Sequence, residues 1–203
     1  MGIAMTVLPA WAADPGALVI SEASYDALPE EVRGQIEVID GHVLFCRSGS
    51  LQHNNVARRL ANHLEAARPD EPCTGVVTDF EMHYLHGRPG SPGFSFRRPD
   101  VALHRCLDED RKLTTEDVLL VAEVVSPGSE YTDTVDKRAE YAHEGIPIYL
   151  VVHLDAERRV KIIQEYRLDW ASRSYRLAET HQDSLRLTGP FPVDIPFKVL
   201  DQG

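Results

Sequence analysis

Apolar positions recur at two different periods along this chain, and the switches between them outline its elements. In residues 51–67, Val56, Leu60 and Leu64 fall at helical spacing, with Ala57 and Ala61 on the same side. That spacing predicts an amphipathic helix, closed by Pro69. LLVAEVV at 119–125 is a nearly continuous apolar run, the pattern of a strand covered on both faces. IYLVV at 148–152 reads the same way. Between these two runs, residues 131–144 place Tyr131, Val135, Ala139 and Ala142 at helical spacing. Gly145 and Pro147 stop that helix. Residues 74–84 and 97–104 read as strands, separated by the Gly/Pro loop HGRPGSPG.

Shorter signals flank this middle. SEASYDALP at 21–29 predicts a short helix with Ser21 as N-cap, ended by Pro29. In QIEVIDGHVLF, Asp40-Gly41 between β-formers is a strong hairpin signal. RVKIIQEY and SYRLAE predict a later hairpin, followed by a proline-rich tail. From residue 51 to 152 the order is helix, three strands, helix, strand. The first strands can pair as a meander, and the last requires a helical crossover and so a parallel neighbour. The expected fold is an α/β (α+β) mixed sheet with helices against it. It is expected as a single domain over 19–203, preceded by a disordered leader over 1–18 with Met5 a candidate start.

A length of 203 residues suits one self-sufficient core. No stretch approaches the roughly 18 apolar residues of a membrane helix, so no membrane association is expected. The leader lacks the positive n-region of a secretory signal. Three cysteines, far apart and without CxxC spacing, argue against a disulfide framework or a zinc knuckle and favour a reducing cytoplasm. The net charge is −11. That is awkward for a nucleic-acid partner, whose affinity comes from basic surface. Arg58-Arg59, Arg97-Arg98 and Arg158-Arg159 are nevertheless paired, and such clusters can form a local positive groove.

Glu123 is the most informative residue, because it interrupts the buried run LLVAEVV. A buried carboxylate without a partner costs several kcal/mol. It therefore requires a cation, a set of donors or an exposed strand end. Asp100 follows Pro99 and opens the short strand VALH, where a turn aspartate capping backbone donors is the plain alternative. If the two strands pair, both carboxylates can converge on one ion, and such a pair suits Mg²⁺. Lys137 lies four residues after Asp133, the spacing of an ordinary solvated helix pair. It also lies at the margin of the predicted buried face, from which a long stem can curl toward the sheet. On pattern alone, Glu37 reads as an outward-facing strand residue. His53 either lies on a helix surface or lines the site. No GxSxG elbow, Walker A loop, GxGxxG fingerprint or HExxH is present.

Taken together, these marks resemble the PD-(D/E)XK nuclease superfamily, and within it the Uma-two family of restriction-endonuclease-like proteins. The resemblance is carried by IEVIDG at 36–41, His53 in SLQHNNVARRL, RRPDVAL at 97–103, VAEVVSPGSEYTD and Lys137 over 121–137, and EYAHEGIPIYLVV at 140–152. It implies a restriction-endonuclease-like core, with Asp100 and Glu123 as metal ligands and Lys137 as the third catalytic residue. Glu37, Asp133 and His53 are implied as supporting residues. The superfamily's usual lysine, two residues after the glutamate, falls at Val125 and is missing; in the family pattern it comes from the next helix, here as Lys137. His42, Gly128, Ile148, Leu150 and His153 depart from the family's usual residues without touching these ligands. The implied activity is Mg²⁺-dependent endonuclease hydrolysis, with Mn²⁺ as a substitute, DNA as the expected partner and a homodimer as the expected assembly. A catalytically silent nucleic-acid- or protein-binding module on the same fold is the alternative.

Overall fold

Ser21 opens the first helix as expected: its side chain accepts from the Ser24 N–H, capping α1 (Glu22–Asp26). The computed structural model describes residues 18–46, 49–87, 93–108, 111–125 and 135–201. Residues 1–17 of the leader, the Ser126–Gly128 stop, Tyr131, Asp133 and part of the HGRPGSPG loop lie outside the described residues. The described chain falls into two compact units, one within Met1–Arg47 and Gly87–Phe96, the other within Ser48–His86 and Arg97–Gly203.

In the first unit, α1 is already closed at Ala27, short of the expected stop at Pro29, which instead is the N-cap of α2 (Glu30–Arg33), a helix the apolar pattern does not signal. A hairpin then joins β1 (Ile36–Ile39) to β2 (His42–Phe45), in register Ile36↔Phe45 to Ile39↔His42. Its turn is Asp40-Gly41, both at positive φ. This is the backbone that makes a two-residue turn compatible with strand twist. The turn is crowded from outside. A Cβ on Gly93 would lie 2.1 Å from the Asp40 carbonyl carbon, so only glycine fits there. Phe96, which opens β5 (Phe96–Arg97), pairs with Val38. Tyr25, Ile36, Val38 and Phe96 form this unit's core.

The second unit is built on α3 (Leu51–Ala67), with the predicted bounds and Ser50 as its N-cap. The predicted strand over 74–84 is two short pieces, β3 (Thr74–Val77) and β4 (Met82–His83). The chain continues through β6 (Val101–Arg105), β7 (Val118–Val125), α4 (Lys137–Glu144), β8 (Ile148–Leu154), β9 (Val160–Asp169) and β10 (Ser174–His181). It ends with β11 (Ser184–Leu187), β12 (Val193–Pro196) and α5 (Phe197–Asp201). The tail is therefore a hairpin and a helix, despite its prolines. Six strands form one sheet in the order β10-β9-β8-β7-β6-β3. Every neighbouring pair is antiparallel except β7–β8, which are parallel as the crossover requires. The expected helix–three strands–helix–strand order is thus present as α3, β3-β6-β7, α4, β8 in a mixed α+β fold.

Strand alternation sorts the core into two layers. Val101, Leu103, Leu120, Ala122, Val124, Leu150 and Val152 pack with Val56, Leu60 and Leu64 of α3. Ala102, Val121, Val125, Tyr149 and Val151 pack with Tyr141 of α4. Among the described residues, no helix is long and apolar enough to cross a membrane.

Two sequence expectations are corrected. Cys73 and Cys106 form a disulfide. Their separation of 33 residues hid this in the sequence. Pairing of Thr74 with Arg105 brings the two cysteines face to face, and the Cys106 N–H donates to the Cys73 carbonyl at 3.2 Å. The cysteine argument for a reducing compartment falls with it. The buried face of α4 is also different: Lys137, Tyr141, Ala142 and Glu144 are buried, while Val135 is 40% exposed and Ala139 is exposed. Polar partners, rather than apolar content, set that face.

Candidate active site

Glu123 belongs by alternation to the layer of Val121 and Val125, which faces α4. It is 2% exposed. Lys137, the first residue of α4, brings Nζ to 2.8 Å from Glu123 Oε2. One turn later, the Tyr141 hydroxyl donates to Oε1 at 2.7 Å. The burial problem posed by Glu123 is therefore met by a lysine and a tyrosine. Of the options that the sequence left open, a set of donors is the one realised, so a bound cation is not required to explain its burial. Lys137 is 8% exposed, so it is no solvated helix lysine.

Asp100 lies one residue before Val101, and Glu123 one residue after Ala122, where β6 and β7 pair Val101 with Ala122. The Val124 N–H donates to Asp100 Oδ2 at 2.6 Å, tying the aspartate to the backbone next to Glu123. The other oxygen, Oδ1, lies 3.0 Å from His53 Nε2. His53 comes from the first turn of α3, where its N–H donates to the Ser50 cap at 3.2 Å. The Asp100 side chain remains 22% exposed. A carboxylate offers about four acceptor positions, so these two partners leave it capacity for another. Two carboxylates on paired strands supply the oxygen donors that a hard divalent ion takes.

Sequence reasoning thus named Asp100, Glu123, Lys137 and His53, which the fold sorts into two linked pairs. Glu37 sits in the other unit and is 8% exposed, not outward-facing as its pattern suggested. Asp133 lies outside the described residues. Three further groups escaped sequence reasoning. Tyr141 is not among the residues that the sequence singled out. Arg97 pairs with Glu140 through two bonds of 2.9 Å, and the Tyr84 hydroxyl joins Glu140 at 3.0 Å. Glu144 Oε2 accepts from the Thr115 hydroxyl and from the Leu85 and His86 N–H groups. The spacing of Lys137, Glu140, Tyr141 and Glu144 on one helix was the available signal for a polar buried face.

The arginine clusters are largely engaged within the fold. Arg98 pairs with Glu81 at 2.7 Å, Arg159 with Asp155 at 3.1 Å, and Arg59 donates to the Leu200 carbonyl. Among the described residues, one trio of acidic and histidine side chains has ligand atoms all within 4.8 Å of one another. It is Glu165, Glu179 and His181, on β9 and β10 rather than at Asp100 and Glu123.

No curated protein matches this chain. A solved structure described as that of a "putative nuclease" from Anabaena variabilis ATCC 29413 is similar in fold, with a TM-score of 0.62 at 13% identity. The match covers 89% of this chain and 97% of that one. A family model described as "Putative restriction endonuclease" matches residues 23–199, and the chain accordingly belongs to the Uma2 family.

Proposed function

We propose that this protein is a divalent-metal-dependent endonuclease that hydrolyses phosphodiester bonds in nucleic acid, with DNA as the substrate. One observation carries the reading: a buried lysine–glutamate pair, Lys137–Glu123, lies next to an aspartate bonded to the following backbone N–H. Family membership supports it.

Asp100 and Glu123 are the residues that hold the ion, which when bound polarises a phosphate oxygen and lowers the pKa of a water. Lys137 supplies a fixed positive charge beside Glu123 Oε2, where it would offset negative charge building on the attacked phosphate. Tyr141 pins the other oxygen of Glu123, so that the carboxylate keeps one orientation. His53 does the same for Asp100. Asp133 is proposed to orient Lys137. A homodimer would present two such sites to a duplex.

The net charge of −11 and the internal commitments of Arg97 and Arg98 favour a second reading, a silent binding module on the same fold. One experiment separates the two. Single- and double-stranded DNA and RNA are incubated with wild type, Asp100→Asn and Lys137→Met in Mg²⁺, Mn²⁺ or EDTA. The enzyme reading expects cleavage that needs the ion and falls by on the order of 100-fold or more in each variant. Equal rates in wild type and variants, or binding without cleavage, overturn it.

A further inference from the structure

Glu165 and Glu179 stand directly opposite each other in the β9–β10 pairing. Like charges at facing positions destabilise a sheet unless something offsets them. His181, two residues beyond Glu179 and on the same face, joins them. Glu165 and His181 are 5% and 3% exposed, whereas the Glu179 side chain is 60% exposed.

The buried pair is well ordered in its bonding. Glu165 Oε1 receives the Arg167 Nε–H, and Oε2 lies 3.1 Å from His181 Nε2. A carboxylate accepts, so Nε2 is the nitrogen that donates, and in the neutral ring Nδ1 keeps its lone pair. His181 Nδ1 is buried and has no hydrogen-bond partner. Its nearest carboxylate oxygen, Glu179 Oε1, is 3.6 Å away, beyond hydrogen-bond reach.

We propose that His181 Nδ1 and the Glu179 carboxylate bind a first-row transition ion, with Zn²⁺ the best match, while Glu165 positions the imidazole. Two ligand atoms bonded to one tetrahedral zinc at about 2.0–2.1 Å lie about 3.4 Å apart. The separation of 3.6 Å fits that edge better than it fits a hydrogen bond. A carboxylate on the second ring nitrogen is the usual support of a metal-bound histidine, and Glu165 occupies that place. Imidazole paired with carboxylate suits Zn²⁺ rather than Mg²⁺. Exposure of Glu179 gives the ion an entry path and leaves its remaining positions to water. This site shares no ligand with Asp100 and Glu123, so it stands or falls independently of the proposed nuclease reaction.

The test titrates the full-length protein with Zn²⁺ and Co²⁺. Wild type is expected to bind an ion at this site, separately from any held by Asp100 and Glu123, with a Co²⁺ visible spectrum and a ¹⁵N shift at His181 Nδ1 that report it. Asp100→Asn retains that affinity. Glu179→Gln, at an exposed side chain, weakens it by about tenfold or more. His181→Gln, which keeps a donor near the Nε2 position, abolishes it. Unchanged binding in Glu179→Gln, a metal shift at Nε2, loss of binding in Asp100→Asn or no binding by wild type overturns the proposal.

Discussion

Arg97 and Glu140 form a two-pronged ion pair that ties the residue three before Asp100 to the helix carrying Lys137. Both side chains are nearly closed to solvent, at 4% and 9% exposure. Glu140 lies one turn after Lys137 and next to Tyr141. The pair therefore helps to fix the spacing between the two halves of the candidate site.

Removing one partner of such a pair leaves the other buried and uncompensated. Glu140→Ala is expected to lower stability by about 3–5 kcal/mol, measured by urea unfolding. Arg97→Lys, which keeps the charge but loses the fork, should cost less. A loss under about 1 kcal/mol for Glu140→Ala, the scale of exposed pairs, would contradict the burial argument.

The Lys137–Glu123 pair permits a sharper comparison. Lys137→Met alone strands a buried carboxylate, and Glu123→Gln alone strands a buried ammonium. Each is expected to cost about 3–5 kcal/mol. The double variant removes both charges, so its cost should fall well below the sum of the two. Cleavage should not return with stability, because a structural pair can be replaced by neutral groups and a catalytic one cannot. Restored cleavage in the double variant would show that both residues serve the fold alone.

Reducing the Cys73–Cys106 bond frees a loop with a sequence separation of 33 residues. Chain entropy alone values that closure at roughly 3–4 kcal/mol. For a chain of this size, Tm is expected to drop by on the order of 10 °C in excess reductant. The Cys73→Ser/Cys106→Ser variant should melt at the same lowered temperature with or without reductant.

Asp117 supplies a pH-dependent stabilisation. Burial pushes its carboxyl up, but hydrogen bonds from the Thr114 hydroxyl and N–H, with the Arg111 guanidinium, outweigh that and hold it below the ordinary carboxylate range. In the unfolded chain it titrates near 4. The stabilisation is therefore complete above about pH 4 and is lost as pH falls through the lower folded value. Asp117→Asn is expected to cost about 1 kcal/mol at neutral pH. The deficit should shrink steadily between about pH 4 and pH 2. A deficit of the same size at neutral and acid pH would refute this assignment.

The order of elements was legible because its signals are local. The helix over 51–67, the Asp-Gly turn and the two apolar runs each declare themselves within a short window. The isolated charge in LLVAEVV likewise announced that Glu123 needed a partner. What was not legible depends on pairings between distant segments. Cys73 meets Cys106 only because β3 pairs with β6. The apolar count on α4 pointed to Val135 and Ala139, whereas the helix is turned by what Lys137, Tyr141 and Glu144 find across from them. Neither outcome follows from the spacing of apolar residues alone, because the deciding partner lies on another element. The tail shows the same limit: β12 ends at Pro196 and α5 follows at once, a junction that its prolines do not specify.

β7 lies inside the sheet, hydrogen-bonded to β6 on one side and β8 on the other, while β3 and β10 form its margins. Amide protons in such a strand exchange with solvent only through the rarest openings, whereas margins breathe often. Glu123 therefore rides on a strand expected to exchange slowly. Fraying at either margin therefore leaves the carboxylate where it is.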